Sequence, residues 1–238
     1  MALHGDERPE VAANFALTWD ARSSTRNGTP SDFSSKTDKH RLLQIRAGGD
    51  AILVGRKTLE VENMEMGLPD ETLRAERIAR GHAPYPLRVI VSNSGVINPE
   101  LRVFRSSISP IVIFSTRLMP NPEELHHKAR LHLAYADTID LKETLGVLYR
   151  QYGVRRLICE GGSTLMAAMI REELIDEINV TFCPRIFGGE QAPTLTAGPG
   201  RFLPDSQEFT LEAMETAGDE CFVRYRRKRT GQPDRAEN

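Results

Sequence analysis

The chain has 238 residues, 39% of them hydrophobic and 27% charged, with a formal net charge of −2. Such a composition excludes a disordered chain, no apolar run approaches the ~20 residues of a membrane helix, and the near-even charge argues against a nucleic-acid partner. The polar start MALHGDERPE shows no secretory signal, and Cys159, Cys183 and Cys221 form no C-x-x-C pair, which fits a reduced, cytoplasmic protein without disulfides.

In chain order, residues 1–8 and 230–238 carry little apolar content and read as flexible ends of a single domain over 9–229. Residues 11–19 form a mostly apolar run without helical spacing, a buried strand. The Ser/Thr/Gly/Pro-rich stretch 21–32 is a loop, after which Ser31 or Asp32 is expected to cap a helix over 33–47 with Leu42, Leu43 and Ile45 facing inward. Residues 51–54 are a short strand ending at Gly55, and the Glu/Arg-rich 70–80 is an exposed helix before Pro84 and Pro86. Residues 87–91 and 111–114 are two more strands, each followed by small hydroxyl residues. Over 140–152 the spacing of Leu141, Leu145, Leu148 and Tyr149 predicts an amphipathic helix stopped by Gly153. Strands at 156–159 and 178–183 flank a helix over 163–172. The Gly/Pro-rich 188–204 is a long loop, and 209–213 with 221–227 form an antiparallel pair. His126, His127 and His132 fit an exposed polar helix rather than a metal site. This alternation is an α/β pattern with a mainly parallel sheet, flanking helices and an antiparallel C-terminal edge.

Two glycine-centred junctions carry the chemistry. One strand ends in Gly55-Arg56-Lys57-Thr58, another in Glu160-Gly161-Gly162-Ser163-Thr164. Glycine lets a phosphate approach the backbone, hydroxyls and free helix amides donate to it, and Arg or Lys adds charge. Two such junctions in one parallel sheet can hold a diphosphate between them. Alternatively, each is an ordinary strand-to-helix turn; neither has Walker-loop or G-x-G-x-x-G spacing.

The ordered set of motifs resembles the dihydrofolate-reductase-like superfamily, and within it the reductase domain of the riboflavin-pathway deaminase-reductase and its stand-alone relatives. Arg8-Pro9-x-Val11 through Ala16-Leu17-Thr18-Trp19-Asp20 is similar to that family's opening strand and Ser-Leu-Asp-Gly turn. Arg46, Ala47, Asp50, Ala51 and Gly55 match its R-A-x-x-D-A-I-L-V-G strand, and Glu160-Gly161-Gly162 with Leu165 matches E-G-G-x-x-L. Leu174 through Glu177, Pro184 and Gly188-Gly189 continue the match. The zinc-deaminase elements of the bifunctional relatives are absent from these residues.

The resemblance implies a dihydrofolate-reductase-like fold and an NADPH-dependent reductase, commonly a homodimer, acting on a small molecule. The favoured reaction is reduction of the ribosyl group of a phosphoribosylamino-pyrimidine to ribityl. The alternatives are reduction of another heterocycle and a nucleotide-binding paralogue without turnover. By the same resemblance Gly55, Arg56 and Thr58 border the cofactor phosphates, Gly161, Gly162, Ser163 and Thr164 hold the pyrophosphate, and Ser92 and Asn93 lie by the adenosine. Arg56 and Ser92 become candidates for the 2′-phosphate, and the backbone at Ala16 and Leu17 meets the nicotinamide. Asn14, Glu62 and Glu160 are the substrate candidates, with Glu62, Glu160 and Asp20 as candidate catalytic carboxylates. Asn14 stands where the family has Lys, Ala21 where it has Gly, Glu62 where it has Asp and Met64 where it has Pro. All four departures touch the substrate side.

Overall fold

The computed structural model describes residues 7–24, 33–116, 119–120, 122–134, 136–189, 192–196, 203 and 206–228. Its strands are β1 (Glu10–Thr18), β2 (Ala51–Gly55), β3 (Leu87–Ser92), β4 (Ile111–Thr116), β5 (Arg130–Ala134), β6 (Arg156–Cys159), β7 (Glu177–Cys183), β8 (Phe209–Ala217) and β9 (Glu220–Arg227). They form one nine-stranded sheet in the order β5-β4-β3-β2-β6-β1-β7-β9-β8. Every pairing is parallel except β7 with β9 and β9 with β8. This is the expected α/β arrangement with an antiparallel C-terminal edge.

The short apolar runs are central strands because both of their faces are covered. On one face Val11, Ala13, Phe15 and Leu17 of β1 pack with Leu53, Val89 and Val112. Helices α5 (Leu141–Tyr152) and α6 (Ser163–Arg171) cover that core with Leu145, Leu148, Met166 and Met169. Asp140 caps α5 and Gly153 ends it at φ +67, where glycine meets no steric penalty. On the other face α2 (Arg56–Glu62) packs over β2 and β3, with Leu59, Ile52, Ile90 and Ile113 in a second core, while α1 (Lys36–Ala47) packs against β1 and α3 (Glu71–Ala79), where Ala47, Leu68 and Leu73 make a small cluster. β1 turns only Ala12, Asn14, Ala16 and Thr18 towards this second face, so a half-buried strip remains along its centre.

Several expectations change. Ser31 and Asp32 lie outside the described residues. Ser35 caps α1, its hydroxyl accepting from Asp38 N at 3.1 Å. In that helix Leu42, Leu43 and Ile45 are only half-buried, while Arg46 and Ala47 are buried. Arg8 is pinned, its guanidinium forked onto Asp176 at 2.6 and 2.8 Å. α3 is not wholly exposed either, because Arg77 is buried and donates to Ala47 O and Ala83 O, both at 2.9 Å. The short helix α4 (Pro122–His126) and the strand β5 after it go beyond the expected elements. His132 sits on β5 rather than on a polar helix, stacked on Phe114 with its Nε2 2.7 Å from the Tyr152 hydroxyl. Residues 1–6 and 229–238 lie outside the described part.

Candidate active site

The two glycine junctions meet at the carboxyl ends of β2 and β6, in the middle of the sheet. Gly55 N donates to Gly161 O at 2.7 Å. Gly161 takes φ +88 and faces the Phe15 ring, so any side chain there is both strained and blocked. Gly162 has φ −76 and caps α6 without a side-chain hydrogen bond. A Cβ on Gly162 would collide with the Thr58 hydroxyl. The result is a cradle: the first amides of α6 lack a side-chain cap, the half-buried Ser163 and the exposed Thr164 stand at its rim, and Thr58 closes the far wall. Uncapped amides, hydroxyls and bare backbone suit a diphosphate, so these residues fit the cofactor the resemblance implies.

Arg56 and the adenosine-side candidates are engaged within the chain. Arg56 Nη1 lies 2.6 Å from Glu60 Oε2, one helical turn on, with both side chains about a third exposed. Ser92 is buried and its hydroxyl accepts from Gly95 N at 3.1 Å. Asn93 is exposed; its Oδ1 accepts from Ile139 N at 3.0 Å and its carbonyl from the Thr116 hydroxyl at 2.8 Å.

On the second face of β1, Asn14 and Ala16 are half-buried beside the cradle, whereas the Leu17 side chain belongs to the opposite core, leaving only its backbone to this side. Glu160 does not stand alone. Both its oxygens accept from Arg46, at 2.6 Å from Nε and 2.7 Å from Nη2, and the two side chains are 10% and 6% exposed for Arg46 and Glu160. Burial works against the Arg46 charge, but the Glu160 carboxylate outweighs it and holds that guanidinium above its ordinary value. Arg46 Nη1 also donates to Gly67 O at 2.9 Å. The fork thus ties the diglycine to the segment after Glu62. Glu62 is the half-buried last residue of α2, followed by Asn63 at φ +41, whose Oδ1 accepts from Arg102 N at 3.0 Å.

Asp20 is not an acid in waiting. The Thr18 hydroxyl donates to it at 2.6 Å, and with the Gly188 and Phe187 amides it outweighs partial burial to bring the carboxyl down to about 2. An ionised carboxylate has no proton to give. Asp176 and Glu177 serve as ion-pair partners; Asp176 takes Arg8 at 2.6 Å, and Glu177 takes Arg156 at 2.9 Å and Arg226 at 2.8 Å. What the sequence reading missed is Arg46, a buried cation in the last turn of a polar helix; its place in that motif was the available signal.

Residues 9–221 match the RibD C-terminal domain. The chain belongs to that family. It is 33% identical over 222 residues to the 2,5-diamino-6-ribosylamino-4(3H)-pyrimidinone 5′-phosphate reductase of Methanothermobacter thermautotrophicus, covering 92% of this chain and 98% of that protein. The reductase of the same description from Archaeoglobus fulgidus is 30% identical over 214 residues, covering 89% and 95%. Among solved structures, a pyrimidine reductase-like protein from Corynebacterium diphtheriae superposes with a TM-score of 0.78 at 21% identity, over 93% of this chain and 92% of that one. That likeness establishes the dihydrofolate-reductase-like fold. With this kinship the RibD-family chain is a reductase that uses NADPH.

Proposed function

We propose that this chain reduces the ribosyl group of a phosphoribosylamino-pyrimidine to ribityl, the step that its family serves in riboflavin synthesis. The observation that carries the reading is the cradle of Gly161, Gly162, Ser163, Thr164 and Thr58, beside the half-buried strip of Asn14 and Ala16. The bound dihydronicotinamide supplies the hydride. The chain's own residues bind and orient. Amides and hydroxyls of the cradle take the pyrophosphate, and the backbone at Ala16 and Leu17 receives the carboxamide. Gly55 keeps the phosphates' approach open.

Arg56 is our candidate for the 2′-phosphate, with Ser92 and Asn93 on the adenosine side. A partly exposed i,i+4 pair such as Arg56–Glu60 contributes only about 0.3–0.5 kcal/mol, so a dianionic phosphate can take the guanidinium from Glu60. For the substrate, Asn14 offers an amide and Glu62 a carboxylate. The Arg46–Glu160 fork adds a fixed, charged pair next to the diglycine. Glu62 is also our candidate to relay a proton to the substrate.

The test is oxidation of NADPH, followed by its absorbance, with the phosphoribosylamino-pyrimidine and with dihydrofolate in parallel. Turnover of the first alone is expected. Turnover of dihydrofolate alone would replace the substrate, and none with either would leave a binding protein. Arg56→Ala should cut the preference for NADPH over NADH by roughly 10- to 150-fold, the worth of one charge-assisted contact; equal affinity for both cofactors in the wild type would remove Arg56 from this role. We infer a cytoplasmic homodimer as the working form. Its support is the free state of all three cysteines and an edge strand, β8, that exposes Leu211 and Met214. Among the described residues no helix is long and apolar enough to cross a membrane.

A further inference from the structure

The turn that leaves β1 is tied to a distant loop by more bonds than a turn requires. Asp20 accepts from Thr18 Oγ1 at 2.6 Å, Gly188 N at 2.6 Å and Phe187 N at 3.2 Å. Two consecutive amides on one carboxylate make a small anion nest, filled here from within the chain. Gly188 holds it at φ +65. Around this point Trp19 N donates to Arg185 O at 2.8 Å, Arg22 Nη1 to Ala192 O at 3.0 Å and Ser23 N to Pro193 O at 2.8 Å. Phe187 packs edge-on against the buried Phe33, centroids 5.3 Å apart. Thr18 is fully buried, and its hydroxyl accepts from Arg22 N at 2.9 Å while donating to Asp20. One step back along β1 are Ala16 and Leu17.

We propose that Asp20 is a positioning residue for hydride transfer: by latching the 18–23 turn to residues 185–188 and 192–193 it fixes the Ala16–Thr18 backbone against which the nicotinamide is held. This rests on the reading that NADPH lies there. A latch of this kind acts on alignment rather than on affinity, because the phosphates are held elsewhere, at the cradle. Misplacement by about 1 Å costs on the order of a hundredfold in rate.

The chain carries its own probe, since Trp19 is its one tryptophan and lies 73% exposed beside Asp20. The full-length protein is compared with Asp20→Asn, Thr18→Val and Thr18→Ser. For Asp20→Asn and Thr18→Val we expect kcat to fall roughly 10- to 100-fold, while NADPH affinity, read by Trp19 quenching, stays within about threefold. Thr18→Ser keeps the donor hydroxyl and should retain kcat within about threefold of wild type. The shape of the kcat–pH profile should not change. Wild-type kcat in Asp20→Asn overturns the proposal. So does a fall in kcat matched by the fall in folded fraction, which would make the latch purely structural. A lost limb of the pH profile also overturns it, by making Asp20 a proton carrier. Should the wild type bind NADPH but reduce no tested substrate, the substrate reading fails by itself. Trp19 anisotropy in the NADPH complex then decides the latch: a drop in Asp20→Asn supports it and no change refutes it.

Discussion

Gly161 and Gly162 are neighbours, yet a side chain would do different things at each. At Gly161 the backbone lies at φ +88 with the Phe15 ring against the missing Cβ. Gly161→Ala should therefore destabilise the fold by about 1–2 kcal/mol from the backbone alone, and more from the ring contact. At Gly162 φ is −76, and what a Cβ would meet is the Thr58 hydroxyl. Gly162→Val should fold, with Thr58 displaced, and lose NADPH because the branched side chain fills the space a phosphate needs. Thermal unfolding and cofactor titration on the two variants separate these effects; retained affinity in a folded Gly162→Val would take residues 161–164 out of the site. The Arg46–Glu160 fork supports a third expectation. Removing one member of a buried pair leaves the other charge uncompensated, about 3–5 kcal/mol, whereas replacing both with apolar residues of similar volume can be nearly neutral. Denaturant unfolding of Arg46→Met and of the double variant Arg46→Met/Glu160→Leu should show the double recovering much of the single's loss. If the double is as unstable as the single, the fork is not the reason for the loss.

At the scale of elements, the sequence is most legible where structure is local. Residues 51–54 and 111–114 announce central strands because both faces are buried and every position is apolar. Residues 140–152 announce a helix because Asp140, the leucine spacing and Gly153 agree. β5 was missed because its polar and apolar residues alternate over only five positions at a sheet edge, where charge is a protection against mispairing. The start of α1 was misread because Ser31, Asp32 and Ser35 are all good caps. Ser35 is further fixed by Glu220, to which its hydroxyl and amide both donate, 2.5 and 2.8 Å away. The site divides the same way. The glycine junctions are local and could be read; the Phe187 and Gly188 amides that Asp20 takes and the Arg46 that Glu160 takes lie more than a hundred residues away and could not. The opposite sheet edge, β8, carries a bulge between Leu211 and Ala213 and two glutamates, Glu212 and Glu215, yet it also exposes apolar side chains. β8 is a nine-residue edge strand with Leu211 48% and Met214 65% exposed, on the sheet face away from α1. If a second copy covers it, Met214→Glu should shift the protein from dimer to monomer in sedimentation. A wild-type monomer at micromolar concentration would remove that expectation.

Over the whole molecule, buried and bridged ionisable groups set the pH limits of the fold. On the acid side, among the described residues, three carboxyls lie below their ordinary values. Asp20 is brought to about 2, from 3.8, chiefly by the Thr18 hydroxyl. For Asp176 burial acts upward but the Arg8 fork and the Val11 amide prevail, and for Glu10 burial is likewise outweighed by Arg226 and Arg156. A depressed carboxyl contributes stability above its unfolded pKa and loses it as pH falls through the folded one. Stability should therefore decline progressively below about pH 4 and continue to fall towards about 2. On the alkaline side the thiols act with the opposite sign. Burial raises Cys159 to about 12, and burial with the Glu220 carboxylate nearby does the same for Cys183, against an ordinary 9.0. Between about pH 9 and 12 the unfolded chain releases these protons while the folded chain keeps them, so stability falls across that window. The same burial governs reactivity, since the thiolate is the nucleophile. Cys159 and Cys183 are buried and Cys221 is half-exposed. Titration of the native protein with a thiol reagent near pH 8 should modify one cysteine quickly, and mass spectrometry of the peptides should place the label on Cys221. Denaturant should open the other two at the unfolding midpoint. Rapid labelling of Cys159 in the native state would contradict a sealed core beneath the glycine cradle, and with it the rigid support that the cradle needs.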